Sequence, residues 1–112
     1  MNLLVNDQGV LTEPCEAYET GCGADGPQFK GIFVRYLSYL YQKELGLSPG
    51  LRNSNFLSTC QAFFAKQATS IWNNDRDKSQ NTLGLHWAGP YLEASASTQS
   101  SALDALNAAI VI

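Results

Sequence analysis

The sequence predicts an all-α fold of about three long helices joined by long loops. Apolar residues recur at spacings of three and four through residues 27–45 and 54–72, and again from residue 97 to the end. Only residues 3–13 resemble strands, on either side of a turn at residues 7–9, so a small N-terminal β-hairpin is expected there. The length predicts one segment, residues 1–112, that is too short for two domains.

Composition and charge exclude several classes of protein. Apolar residues make up 45% and charged residues 15% of the chain, which is typical of a globular protein and excludes disorder. The net charge of −3 and the scattered placement of seven Lys and Arg residues argue against a nucleic-acid partner. The opening MNLLVND lacks a cationic leader, so no signal peptide is expected within this chain, and no apolar run approaches the ~18 residues of a transmembrane segment.

The first predicted helix has apolar residues on a broad stripe but polar residues in its first turn. Asp25 and Pro27 favour a helix start, and Gly46 suits the left-handed position that follows a helix. Val34 extends the apolar surface on the side of Lys30, so we expect the helix to be covered on more than one side. The stripe itself consists of Phe29, Ile32, Phe33, Tyr36, Leu37, Leu40, Tyr41 and Leu45.

Two further helices complete the prediction. The second begins at Asn53 or Ser54 and continues to Trp72, and the third begins near Ser97 or Thr98. One face of the second helix carries Phe56, Leu57, Cys60, Phe63, Phe64, Gln67, Ala68, Ile71 and Trp72. One face of the third helix carries Leu103, Leu106 and Ile110. Together the three helices carry more apolar surface than they can bury, so a second chain or further parts of this one should pack on them.

Residues 73–97 form the longest predicted loop, with an extended stretch and a turn at Gly89-Pro90. A loop of this length in a compact domain is more often functional than idle. Trp87 and Tyr91 lie on it, and aromatic rings on a loop suit stacking on the C–H face of a sugar. The alternative for Trp87 is a purely structural plug. His86, the single histidine, is a further candidate for ligand contact, although it cannot form a histidine relay.

The carboxylates offer weaker candidates. Asp75 and Asp77 lie where the second helix ends, and their spacing points them apart on a helix, so we expect solvated charges, with Asp75 as a candidate for pinning the loop. Glu13, Glu16 and Glu19 are expected on the surface near a turn, and the alternative is that one of them contacts a substrate. Ser100 and Ser101 have no recognisable partners for serine hydrolysis.

Three cysteines make an odd count. Cys15 and Cys22 bracket a six-residue loop, a spacing that suits a disulfide in an oxidising compartment, although the sequence leaves the pairing open. They make a poor zinc site without two further ligands, so neither a metal nor another cofactor is expected. Cys60 lies on the apolar stripe of the second helix, where a buried free thiol is the favoured interpretation.

Five stretches together resemble a known family: GVLTEPCE, DGPQFKGIFVRYLSYL, SIWNNDR, GLHWAGPY and ASTQSSALDAL. Their order and spacing are similar to the C-terminal part of glycoside hydrolase family 76, the endo-α-1,6-mannanases and their cell-wall mannosidase relatives. The resemblance covers nearly the whole chain and implies a partial (α/α)6 barrel. It places Gln28, Phe29 and Lys30 at the mouth of the substrate cleft, which accounts for the polar first turn.

The resemblance also implies an activity. Family members cleave α-1,6-linked mannan with retention, using two adjacent aspartates as nucleophile and acid/base, and a retaining mechanism needs two carboxyls about 5 to 5.5 Å apart. No adjacent acidic pair exists in this chain, and in the family the pair lies N-terminal to the region matched. We therefore expect no catalytic residue here and no activity from these residues alone.

The expectations for substrate, location and partners follow. Substrate contacts are expected from Gln28, Phe29, Lys30, His86, Trp87 and Tyr91, with α-1,6-mannan or a mannoprotein glycan as the partner and an extracellular or cell-wall location. Lys30 has an ordinary alternative, a salt bridge to a neighbouring helix, and its place in the first turn favours a specific partner. For the chain as a whole, the alternative is a noncatalytic helical module that binds glycan or protein, or self-associates through its apolar faces.

Overall fold

The computed structural model describes residues 4–112 and confirms the all-α fold. Three α-helices follow one another: α1 at Phe29–Leu45, α2 at Ser54–Asn74 and α3 at Ala96–Ile110. Short 3-10 turns occupy Pro14–Ala17, Gly26–Gln28 and Pro49–Leu51, and no strand occurs in the part of the chain that is described. Each helix packs against the other two, and α1 makes its most extensive contact with α3.

The helix ends follow local capping chemistry. Asn53 Oδ1 accepts the amide of Phe56 at 3.0 Å and caps α2, which confirms the predicted start. Ser95 and Thr98 form a reciprocal capping box, because each side chain accepts the other's amide, so α3 starts at Ala96. At the end of α1, the expectation of a left-handed glycine is wrong, since Gly46 has φ −75°.

The N-terminal end of α1 begins as a 3-10 turn. Pro27 lies at its start, as its fixed φ and missing N–H predict, and the α-helix proper begins two residues later at Phe29. Asp25 precedes the turn but makes no capping hydrogen bond with its side chain.

Of the large apolar stripe predicted for α1, only Tyr41 belongs to the fully buried face of the helix. Within the described chain, Val34, Tyr41 and Lys30 are buried, whereas Phe33 and Tyr36 are 52% and 62% exposed. Phe29, Leu40 and Leu45 are exposed as well. The sequence predicts that two sides of α1 are covered. The rest of the chain covers the side of Lys30, Val34 and Ser38, whereas much of the apolar stripe stays exposed.

The expected buried face of α3 is also wrong. Leu103 and Ile110 are exposed, and Leu106 is only partly buried. The helix instead buries a face of small residues, Thr98, Ser101, Ala102, Ala105 and Ala108. Small side chains allow close approach of the helix backbones: a Cβ added at Gly31 of α1 would lie 2.5 Å from Ser101 Cα.

The core is shared by all three helices, the loop that follows α2 and the N-terminal segment. Cys60, Phe64, Gln67 and Ile71 of α2 are buried as predicted, and Cys60 is a free thiol, but Trp72 is 44% exposed. The N-terminal segment has a single antiparallel bridge, Val5 to Leu11, in place of a hairpin of strands. Part of the predicted hairpin, residue 3, lies outside the described residues.

A buried glutamine fixes the N-terminal segment to α2. Gln67 Oε1 accepts the amide of Leu11 at 2.8 Å, and Gln67 Nε2 donates to the carbonyl of Gly9 at 2.8 Å. Both polar groups of the side chain are therefore satisfied in a fully buried place.

An apolar groove remains open between α1, α2 and the N-terminal segment. It has a volume of about 810 Å³, and its lining includes Leu4, Leu11, Phe33, Leu37, Phe56 and Phe63. With the exposed stripe of α1, it leaves a large apolar surface uncovered by residues 4–112. None of the described helices combines the length and the apolarity needed to cross a membrane.

Candidate functional site

The N-terminal turn of α1 points Lys30 into the protein interior. The residue is 3% exposed, and its Nζ lies 2.8 Å from Glu16 Oε2 and 2.7 Å from the carbonyl oxygen of Leu85. A third, longer hydrogen bond of 3.5 Å reaches the carbonyl oxygen of Leu11, and the ring of Trp87 lies 4.6 Å from the ammonium. One cation thus joins α1 to three other segments of the chain.

The contacts of Lys30 offset an unfavourable position. Burial lowers the pKa of Lys30, whereas the charge and hydrogen bond of Glu16 raise it. The positive end of the helix dipole also disfavours a cation in a first turn. The expectation of a specific partner is confirmed, but the partner comes from the 3-10 turn at Pro14–Ala17 and not from a neighbouring helix.

Glu16 is not the surface residue that the sequence suggested. Its side chain is 8% exposed, and Oε2 also accepts the amide of Glu13 at 2.8 Å. Its other oxygen, Oε1, lies 3.6 Å from Nδ1 of His86. The disulfide between Cys15 and Cys22, with a Cα–Cα distance of 4.9 Å, confirms the suggested pairing and fixes the turn that carries Glu16.

The two neighbouring glutamates differ from each other. Glu13 is half-buried, its Oε1 has no hydrogen-bond partner among the described residues, and its pKa is raised because burial outweighs the attraction of Lys30. Glu19 is exposed, as expected.

Asp75 is fully buried, so the expectation of a solvated charge is wrong. Its carbonyl oxygen accepts the amide of Gly84 at 3.1 Å, which agrees with a role in pinning the loop. Neither carboxyl oxygen has a hydrogen-bond partner of good geometry among residues 4–112. Burial is the largest influence on the pKa of Asp75 and raises it to about 7. The charge of Lys30 lowers this pKa, the charge of Glu16 raises it, and the nearby amide of Gly84 lowers it slightly.

Asp77 behaves as a loop residue. Its Oδ1 accepts the amide and the hydroxyl of Ser79, at 2.9 and 2.8 Å, and these hydrogen bonds hold its pKa below the ordinary value. The two aspartates therefore occupy opposite environments although only one residue separates them.

The loop at residues 83–91 carries three of the predicted ligand contacts. Trp87 is 1% exposed and its carbonyl oxygen accepts the hydroxyl of Ser70 at 2.8 Å, a geometry that favours the structural plug. The side chain of His86 is 26% exposed. Tyr91 is half-buried, with its hydroxyl 3.0 Å from that of Thr82. The predicted turn is present, with a cis peptide between Gly89 and Pro90.

The six predicted substrate contacts thus fall into three groups. Gln28 and Phe29 are exposed at the start of α1, Lys30 and Trp87 are buried and fully engaged within the chain, and His86 and Tyr91 are partly exposed. Their role in substrate binding stays a prediction. Lys30 pairs with Glu16 and lies over the ring of Trp87, so these two buried residues position Glu16 and the loop that carries His86.

An open cavity of about 380 Å³ adjoins these residues, and we call it the polar cavity because two carboxylates and an imidazole belong to its lining. It is lined by Thr12, Glu13, Pro14, Glu16, Ala17, His86, Ala88 and Gly89. The volume falls in the range of small-molecule sites. Carboxylate oxygens accept hydrogen bonds from hydroxyl groups, and an imidazole both donates and accepts, so the lining suits a ligand rich in hydroxyls. No metal-binding group of His, Cys, Asp and Glu side chains is found in residues 4–112.

Comparison with known proteins gives no support from similarity. No family model, curated protein or solved structure matches this chain. The function is therefore argued from the five motifs and from the arrangement of their residues.

Proposed function

We propose that this chain is the C-terminal part of a retaining glycosidase that cleaves α-1,6-linked mannan, and that it supplies the wall and loops of the substrate cleft. The observation that carries the proposal is the convergence of the resembling stretches on one place. GVLTEPCE contributes Glu13 and Glu16, DGPQFKG contributes Lys30, SIWNNDR contributes Asp75 and GLHWAGPY contributes His86. Segments far apart in sequence thus build one polar cavity and its support.

The fifth stretch holds this assembly from α3. Ser101 Oγ accepts the amide of Gly31, next to Lys30, at 2.9 Å. The side chain of Gln99 accepts the amide of Leu83 at 2.8 Å, and the hydroxyl of Thr98 donates to the carbonyl oxygen of Leu83 at 3.0 Å. All five stretches therefore contribute to positioning the first turn of α1 and the loop after α2.

In this proposal the cavity residues bind and orient substrate, and the catalytic carboxylates come from elsewhere in the enzyme. Glu16 is neutralised by Lys30, and Asp75 is sealed from solvent, so neither is free to attack an anomeric carbon. Glu16 Oε1 instead lies 3.6 Å from His86 Nδ1 beside the cavity, where the imidazole can bond a sugar hydroxyl.

The uncovered apolar surfaces support a place within a larger helical assembly. The stripe of α1 and the 810 Å³ groove are the surfaces that further helices of an (α/α)6 barrel would cover. The same surfaces favour a second candidate function, a noncatalytic module that binds a glycan or a protein and associates through these faces. The disulfide suits the oxidising, extracellular or cell-wall location that the enzyme proposal implies.

Two assays of the 112-residue chain test the proposal. The chain should bind a linear α-1,6-manno-oligosaccharide, with NMR shifts at His86 and the cavity residues, and should bind an α-1,4-gluco-oligosaccharide of equal length more weakly. His86→Ala should weaken binding. Glu19→Gln, at an exposed position between Cys15 and Cys22, should not. Equal shifts with both sugars would contradict the substrate assignment.

The second assay is hydrolysis of linear α-1,6-mannan. The chain alone should show none, because it carries no adjacent acidic pair. Turnover that a single substitution within the chain abolishes would contradict the proposal that the catalytic carboxylates lie outside it.

A further inference from the structure

Asp75 connects the end of α2 to the inner side of the loop at residues 83–91. The residue is fully buried, and the loop backbone lies directly on its carboxyl group: a Cβ added at Gly84 would lie 2.6 Å from Oδ1. Neither carboxyl oxygen has a hydrogen-bond partner of good geometry among the described residues, although the amide of Gly84 lies close enough to favour the charged form weakly. An ionised carboxylate in such a place is strongly disfavoured unless donors compensate it.

Lys30, the cation whose charge acts on Asp75, cannot supply those donors. An ammonium group has three N–H bonds, and the ammonium of Lys30 already donates to Glu16 and to the carbonyl oxygens of Leu85 and Leu11. Lys30 therefore acts on Asp75 through charge alone, and Glu16 opposes it with a negative charge.

We propose that Asp75 is a pH-sensitive latch: its neutral carboxyl keeps the loop at residues 83–91 docked on α1 and α2, and its ionisation releases the loop. The loop carries His86, Trp87 and Tyr91, so the latch controls the shape of the polar cavity. This inference goes beyond the proposed function and does not depend on it, because the latch operates whatever ligand the cavity takes.

Asp75 is the titrating group of the latch, and other charged groups surround it on several elements. Lys30 from α1 and Glu16 from the 3-10 turn form a neutralised pair, with Glu13 and His86 beyond them on the cavity side. Arg76 follows Asp75 but donates to Trp72 and Asn81, on the exposed side of the loop. From α3 the only charged residue is Asp104, whose Oδ2 lies 3.6 Å from Arg35.

Ionisation takes place in a physiological range. Burial raises the pKa of Asp75 to about 7, so the carboxyl is neutral in mildly acidic surroundings and loses its proton as the pH rises through neutrality. The loop is therefore closed in acid and open in mild alkali.

Fluorescence of Trp87 reports the latch. Trp72 is replaced by Phe so that Trp87 is the one tryptophan left in the sequence. Its emission is excited selectively over that of the tyrosines, and quenching by acrylamide is measured from pH 5 to pH 9. Quenching should increase severalfold with a midpoint near the pKa of about 7. Asp75→Asn in the same background should keep quenching low across the whole range, because the amide cannot ionise.

Matched variants identify the group responsible. Asp77→Asn, two residues away and outside the cluster, should retain the transition, and so should His86→Gln, which removes the imidazole carried by the same loop. A transition that survives Asp75→Asn, or that disappears in His86→Gln, overturns the proposal.

A second measurement on the unsubstituted chain is independent of the folding of the variants. The NMR signal of the Asp75 side-chain carboxyl carbon should titrate near pH 7. A midpoint near the ordinary value of 3.8 overturns the proposal.

Discussion

Lys30 Nζ and Glu16 Oε2 lie 2.8 Å apart, and both side chains are more than nine-tenths buried. The pair joins the first turn of α1 to the disulfide-bonded N-terminal region, and the ammonium continues the connection to the carbonyl oxygen of Leu85. This buried ion pair therefore links three segments of the chain on this side of the fold.

Lys30→Met tests how far stability depends on this ion pair. The substitution keeps most of the side-chain volume but leaves Glu16 buried without its cation, so we expect unfolding free energy to fall by about 3–5 kcal/mol. Urea denaturation of the variant measures the change. Glu19→Gln should alter stability by less than about 0.5 kcal/mol, because Glu19 is exposed.

The double variant Lys30→Met, Glu16→Gln distinguishes a missing partner from lost packing. Removing the unpaired charge should restore part of the stability lost in the single variant. A double variant that loses the sum of both single effects would contradict the ion-pair explanation.

Gly31→Ala tests the close contact between α1 and α3. The added Cβ would lie 2.5 Å from Ser101 Cα and 2.6 Å from its carbonyl oxygen, so the two helices must separate. We expect a loss of about 1–3 kcal/mol or more, although alanine favours a helix more than glycine does. Gly50→Ala, where an added Cβ meets nothing within 4 Å, is the control, and equal thermal unfolding of the two variants would argue against the close contact.

Asp75 should make stability depend on pH. Its pKa is about 7 in the folded chain, against an ordinary value of 3.8 for an exposed aspartate, so the folded state binds the extra proton between these limits. Stability therefore decreases as pH rises from about 4 to about 7, by on the order of 4 kcal/mol for a shift of this size. Urea denaturation across this range should show the slope for the natural sequence and a weaker slope for Asp75→Asn.

The exposed aromatic stripe should cause self-association of the isolated chain. Phe33 and Tyr36 are more than half exposed on α1, and Phe33 also lines the apolar groove. Replacing both residues by serine should reduce association in sedimentation velocity while leaving helicity unchanged in circular dichroism. Serine in place of Lys43 and Gln42, on the same helix but polar, should leave association as it was.

Hydrophobic periodicity predicted the helices well but the buried faces poorly. The spacing of large apolar residues located α1, α2 and α3, and local chemistry located Asn53 as a cap. On α1 and α3, however, several of the large apolar residues are exposed, and the buried faces include small residues such as Gly31, Ser38 and Ala105. Periodicity shows that a stripe exists, whereas the close approach of two helices is decided by small residues such as Gly31.

The site was only partly visible in the sequence. The odd first turn of α1 singled out Lys30, and the loop composition singled out His86 and Trp87. The sequence predicts exposed positions for Glu16 and Asp75, because a charged residue beside a turn is usually solvated. Their burial results from tertiary packing, since Glu16 pairs with Lys30 of α1 and Asp75 lies against Gly84 of the loop, and no local pattern records these contacts.

Sequencing the 5′ end of the transcript tests the central proposal most directly, because it shows what reading frame precedes Met1. The proposal predicts that the frame continues upstream into further helical segments and includes an adjacent pair of aspartates. A stop codon in frame directly upstream, with no such pair, would contradict the assignment of this chain to an α-1,6-mannan glycosidase.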